Sequence, residues 1–149
     1  MRHPSRLVLL GHPVAHSLSP LFQNAALRSA SLRVTYETMD VAPDALERTL
    51  RSLRAERAAG NVTVPYKERV HALCEARTTM ADRVGAVNTF WFDDRGALSG
   101  DNTDVAGFAA MALGVVDAAR PQRIALLGAG GAAAAVLAAL DGLAVLALS

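Results

Sequence analysis

Short apolar stretches alternate with helix-length segments along this chain, and that alternation confines it to the α/β class. Residues 7–10 form an unbroken apolar run, the pattern of a strand covered on both faces. Residues 34–39 alternate as a half-buried strand does, and residues 61–64 form a third candidate. Helical patterns fill the gaps at about residues 20–29, 43–58 and 67–75. In the second of these, Leu46, Leu50 and Leu53 share one face. A short helix is predicted over residues 79–84. Residues 87–92 and 97–100 then read as a hairpin across Asp93-Asp-Arg-Gly96, followed by a helix over 104–113. A connector spans 114–122, and residues 123–127 open a second unit of strand, glycine loop, helix and strand. The expectation is an α/β domain with a mostly parallel sheet and an antiparallel edge supplied by the hairpin. The start of a second α/β unit follows, with the boundary between about residues 107 and 122.

Chemistry-bearing residues gather where such strands end. In Asn61-Val-Thr-Val-Pro-Tyr-Lys67, alternation puts Asn61 and Thr63 on one face and Val62 and Val64 on the other. Pro65 cannot donate to a ladder, so the strand stops there and Lys67 opens the next helix. Two hydrogen-bonding groups and a cation thus meet at the carboxyl end of a strand, where open α/β sheets bind ligands. A capped junction with a solvated lysine is the plainer reading. Ser17 and Ser19 flank a helix start with Pro20 in the first turn. They can hold a carboxylate at the helix N-terminus, or Ser19 can simply cap the helix. Asp104, in Asn102-Thr-Asp, precedes an apolar helical run, so it too can be a cap. Asn88 lies inside a strand, in Gly85-Ala-Val-Asn-Thr89, where a turn-forming role does not suit it. In Gly128-Ala129-Gly130-Gly131-Ala132-Ala133, the residues Gly128, Gly130 and Ala133 fit G-x-G-x-x-G/A between a predicted strand and an alanine-rich helix.

Composition removes several classes. Hydrophobic residues make up 52% and charged residues 19%, which favours a packed core over disorder. A net charge of +1 gives no reason to expect nucleic acid or an anionic membrane as partner. The single cysteine, Cys74, cannot form an internal disulfide, which suits a reducing, cytoplasmic setting. No secretory leader is visible. The uncharged stretch over residues 124–140 is mostly alanine and glycine and ends at Asp141, so it reads as strand, turn and helix rather than a membrane span. His12 and His16 lie four apart in a loop without a cysteine or carboxylate cluster, so no metal site is expected.

Taken in order and at these intervals, the segment at Ser17 and Ser19, the Asn61–Lys67 motif, the segments at Asn88 and Asp104, and the glycine loop resemble shikimate dehydrogenase. The likeness covers nearly all of residues 6–149. It implies reversible, NADP-dependent reduction of 3-dehydroshikimate to shikimate, on the route to chorismate and the aromatic amino acids. It divides the chain into a substrate-binding domain over 1–106 and a partial Rossmann NADP-binding domain over 107–149. By resemblance, Ser17 and Ser19 hold the substrate carboxylate, with Thr63 near it, and Asn61 and Asn88 bind ring hydroxyls. Lys67 is the acid/base, and Asp104 acts with it on the hydroxyls beside the reacting carbon. One departure is Gln23, where many members carry histidine before the asparagine that is Asn24 here. The residue that selects NADP over NAD lies about 20 positions beyond the first glycine, near Ser149, so NADP follows from the resemblance alone. The chain reads as ending inside the cofactor domain, with residues 143–148 as an apolar edge. Three readings therefore stand: the dehydrogenase, with quinate as a further substrate; a non-catalytic shikimate-binding fragment; and a sensor that kept the pocket and lost turnover. Nothing in the sequence fixes an oligomeric state.

Overall fold

A computed structural model describes residues 4–114 and 124–142. Its core is a six-stranded sheet in the order β2-β1-β3-β5-β6-β4. Strand β1 (Leu7–Gly11) lies between β2 (Tyr36–Asp40) and β3 (Ala59–Val62) and is parallel to both. The crossovers that parallel pairing requires are α1 (Ser19–Ser29) and α2 (Leu46–Glu56), the latter entered by a 3-10 turn at Pro43–Ala45. The unbroken apolar run of β1 has a direct cause, since both of its faces are covered. Val8 and Leu10 join Leu46, Leu50, Leu53, Val62 and Val70 in the main core. Leu9 packs with Val14 and Tyr36, together with Leu27 of α1, on the other face.

Past β3 run α3 (Lys67–Leu73), a two-residue strand β4 (Ala76–Arg77) and α4 (Thr79–Val84). The hairpin then forms as β5 (Thr89–Phe92) and β6 (Leu98–Asp101), and α5 (Asp104–Leu113) follows. The hairpin is not an edge. Strand β5 pairs antiparallel with β3 and β6, and β4 runs parallel to β6 as the outer strand. Two residues carry no periodicity, so β4 is invisible to pattern reading. β3 also ends two residues earlier than its alternation suggested, leaving Val64 68% exposed rather than buried beside Val62.

Of the second unit, residues 124–142 are described. Helix α6 (Gly131–Gly142) follows the glycine loop and packs Ala135 and Ala139 against Val105 of α5 and Val84 of α4. Ile124–Leu127, expected as a strand, is irregular, with Leu127 97% exposed. A strand exists through pairing, and no segment among the described residues pairs with this one. The second strand expected over 143–148, and most of the connector, lie outside the described residues.

Candidate active site

Lys67 and Asp104 form the centre of the site. Each is the first residue of its helix, and Lys67 Nζ donates to Asp104 Oδ2 at 2.6 Å. The lysine side chain is 15% exposed and the carboxylate 33%, so the pair is partly desolvated yet reachable from solvent. Tyr66 is buried at the α3 N-terminus and donates to Val41 O, which anchors the turn that delivers Lys67. Asp104 is not the helix cap. Thr103 occupies that position, and both oxygens of the Asp104 carboxylate are engaged by side chains: Oδ2 by Lys67 and Oδ1 by Asn88 Nδ2 at 2.6 Å.

Asn88 and Asn61 are hubs of one network. The second Asn88 amide proton goes to Thr103 Oγ1 at 3.0 Å, and its Oδ1 accepts the Thr103 N–H at 2.9 Å and the Thr89 hydroxyl at 3.0 Å. Asn61 Nδ2 donates to Asn88 O at 3.2 Å and Thr89 Oγ1 at 3.1 Å, while its Oδ1 accepts the Tyr36 hydroxyl at 2.8 Å. These amides give most of their capacity to protein partners, which fixes the orientation of Asp104. Tyr36, Thr89 and Thr103 are members that sequence reasoning missed, although two of them sit inside the motifs already singled out.

Burial pushes the Tyr36 phenol up to about 12, and burial likewise pushes the Cys74 thiol up to about 11. A raised folded-state value stabilises the fold fully below the unfolded value, about pH 10 for tyrosine, and the benefit is lost as the pH climbs through the folded value. Thermal denaturation should therefore show stability falling between about pH 10 and 12. In Tyr36→Phe that fall should be shallower, the Cys74 contribution remaining. An unchanged slope would show that Tyr36 does not carry it.

Ser17, Ser19 and Thr63 form a second group. They line a cavity of about 430 Å³ with Val14, His16 and Val64, and the Lys67–Asp104 pair is not part of that lining. Ser19 is the first residue of α1, and Leu18 takes the cap position without a side-chain bond, so the alternative of Ser19 as a simple cap does not apply. Ser17 Oγ donates to Ser19 Oγ at 3.1 Å and accepts the Ser19 N–H at 3.2 Å. The two hydroxyls thus stand together at the start of an 11-residue helix, a setting that favours an anion. The loop carrying them is tied down twice. His12 N–H donates to Val64 O at 3.0 Å, and Asp40 pairs with the His12 ring while accepting the Val14 N–H at 3.2 Å. Those hydrogen bonds, the one from His12 first, hold the Asp40 carboxyl below the usual carboxylate range.

The glycine loop from Gly128 to Ala133 is open at its first glycines and closely packed where α6 begins. Gly128 has φ of +128°, and a Cβ placed on Gly128 or Gly130 would meet nothing within 4 Å, so the backbone there is open to a ligand. At Gly131 a Cβ would lie 3.0 Å from Ala86 Cβ and 3.3 Å from Lys67 Cβ, so the start of α6 packs directly against Lys67 and Ala86. Open glycines, a close-packed helix start and its free N–H groups suit a pyrophosphate; the irregular Ile124–Leu127 segment does not supply the strand that normally leads into such a loop. Among the described residues, no group of three or more His, Cys, Asp or Glu could hold a metal ion, and no helix is long and apolar enough to cross a membrane.

The sequence profile of the shikimate dehydrogenase substrate binding domain matches residues 9–90, more than half of the chain. The chain belongs to the shikimate dehydrogenase family. It is 42% identical over 137 residues to the shikimate dehydrogenase (NADP(+)) of Chelativorans sp., covering 91% of this chain and 49% of that one. It is 47% identical over 135 residues to the corresponding Rubrobacter xylanophilus protein, covering 89% and 47%. This shikimate dehydrogenase relative therefore spans about half the length of the curated proteins it matches. Among solved structures, Aquifex aeolicus shikimate dehydrogenase superposes with a TM-score of 0.87 at 37% identity, covering 93% of this chain and 52% of that one. The Thermus thermophilus shikimate 5-dehydrogenase in complex with NADP(H) and shikimate gives a TM-score of 0.80 at 42% identity, covering 94% and 53%.

Proposed function

We propose that this chain is the substrate-binding lobe, over residues 1–106, and the beginning of the NADP-binding lobe, over 107–149, of a cytoplasmic NADP-dependent shikimate dehydrogenase. Its substrates are the small molecules shikimate and 3-dehydroshikimate, with neither nucleic acid nor membrane as partner. The observation that carries the reading is the Lys67 Nζ–Asp104 Oδ2 contact of 2.6 Å between two helix starts at the strand ends. Reducing a ketone leaves an alkoxide that must receive a proton as it forms. The Lys67 ammonium polarises the carbonyl and gives up that proton, and Asp104 keeps the ammonium aimed and bears on the neighbouring hydroxyl. Asn61 and Asn88 present the polar face on which the ring hydroxyls rest. Ser17 and Ser19 take the carboxylate, with Thr63 beside them, which fixes the ring relative to the lysine. The loop from Gly128 to Ala133 would hold NADP, which when bound would accept the hydride from shikimate or, in its reduced form, give one to the ketone.

The test is to mix the full-length gene product with shikimate and NADP⁺ and follow the absorbance of reduced nicotinamide. Formation of NADPH is expected. Saturable shikimate binding without any NADPH would instead identify a binding protein or sensor and overturn the reading.

A further inference from the structure

We infer that Asn102 is the positioning residue that sets the spacing of Lys67 and Asp104. The inference rests on the dehydrogenase reading above, in which that pair performs the proton transfer. The two residues are 37 apart in sequence and open different helices, so no local geometry keeps them at 2.6 Å.

A chain of hydrogen bonds joins their backbones. The Lys67 carbonyl accepts the Val87 N–H at 2.9 Å. One residue earlier, the Ala86 carbonyl accepts Asn102 Nδ2 at 2.9 Å. At its other end the same amide accepts, through Oδ1, the Asp104 N–H at 3.1 Å. The backbones of Lys67 and Asp104 are thereby linked through residues 86–87 and one side-chain amide. Asn102 is 2% exposed and Ala86 is fully buried, so water does not compete for these bonds. Its own N–H donates to Asp101 Oδ1 at 2.7 Å, which holds the turn from which the side chain projects.

The residue type matters. Bridging a carbonyl to an N–H needs one group that donates at one end and accepts at the other, which is what a primary amide does. An aspartate makes the same side-chain turn onto an N–H two residues on but has nothing to donate to Ala86. A serine makes that turn more weakly and is too short for the second bond. Asn88 has a separate task, since it holds the Asp104 carboxylate whereas Asn102 holds the Asp104 backbone.

The experiment compares Asn102→Asp and the uncharged Asn102→Ser with the unmutated full-length protein. Displacement of the pair should lower kcat about 10- to 100-fold in both variants, with KM nearly unchanged. A residue that merely starts α5 would be replaced by aspartate without loss, so wild-type kcat in a folded Asn102→Asp or Asn102→Ser variant would overturn the inference. A crystal structure of either variant gives a readout independent of turnover. The Nζ–Oδ2 contact should lengthen beyond hydrogen-bond range, and its retention would also overturn the inference. If the unmutated protein does not oxidise shikimate, the dehydrogenase reading fails, and this distance still decides the role of Asn102 in spacing the pair. Should neither variant fold, side-chain amide exchange in the unmutated protein decides. Slow exchange of the Asn102 amide protons is expected, and exchange as fast as an exposed asparagine's overturns the bridge.

Discussion

Lys67→Met is expected to lower shikimate turnover by about 10²- to 10⁴-fold, the range for loss of a positioned proton donor. Methionine keeps most of the stem that packs against Gly131, so the start of α6 should stay in place. What disappears is the ammonium and its 2.6 Å bond to Asp104. The loss should fall far more on kcat than on KM, because proton donation matters in the transition state and, in the proposed reading, the carboxylate is held elsewhere, by Ser17 and Ser19. Steady-state kinetics and direct shikimate titration of the variant check this together. Turnover within about tenfold of the unmutated protein would remove Lys67 from the proton-transfer role. The same variant separates an enzyme from a sensor, since a sensor that reads ligand occupancy keeps its output without the ammonium.

Much of this site was legible because it is built at strand ends and helix starts, where sequence has local grammar. Asn61, Pro65 and Lys67 announce a strand, its stop and a helix within seven residues, and the structure confirms that order with the strand shifted two residues toward the N-terminus. The illegible part is long-range. Tyr36 reaches Asn61 across 25 residues and Asn88 reaches Asp104 across 16, and no spacing rule predicts such pairs. The capping alternatives did not hold either. Ser19 and Asp104 are both good cap residues by type, yet each is the first residue inside its helix, and each side chain bonds to another side chain instead. The strand expected before the glycine loop shows the other limit. Its composition is right, but a strand requires a paired neighbour, and composition does not provide one.

Gly60→Ala should be the most damaging of single-methyl changes to the fold. Gly60 precedes Asn61 in β3, which lies between β1 and β5 and pairs with Val8 on one side and Phe90 on the other. A Cβ at this position would lie 1.9 Å from the Val8 carbonyl oxygen and 2.8 Å from Val8 C and N. Gly100 offers a useful comparison. There the added carbon would meet Val87 Cγ2 at 2.6 Å, Val87 Cγ1 at 2.9 Å and Cys74 Sγ at 2.8 Å, all side-chain atoms, so the strain falls on core packing rather than on a strand ladder. At Gly60 the obstacle is backbone in the middle of a parallel ladder, so relief requires β1 and β3 to separate, and Val8 and Leu10 of β1 are fully buried. Overpacking of this kind costs about 3 kcal/mol or more, which corresponds to a fall in Tm of roughly 6–12 °C or greater for a domain near this size. Thermal denaturation of Gly60→Ala beside Gly100→Ala measures it, the Gly60 variant being the less stable of the two. Because Asn61 follows directly, any strand shift also displaces the amide that meets Tyr36 and Thr89, so folded Gly60→Ala protein should lose shikimate affinity as well. A Tm unchanged from the unmutated protein would mean that β1 and β3 are not joined in the register described.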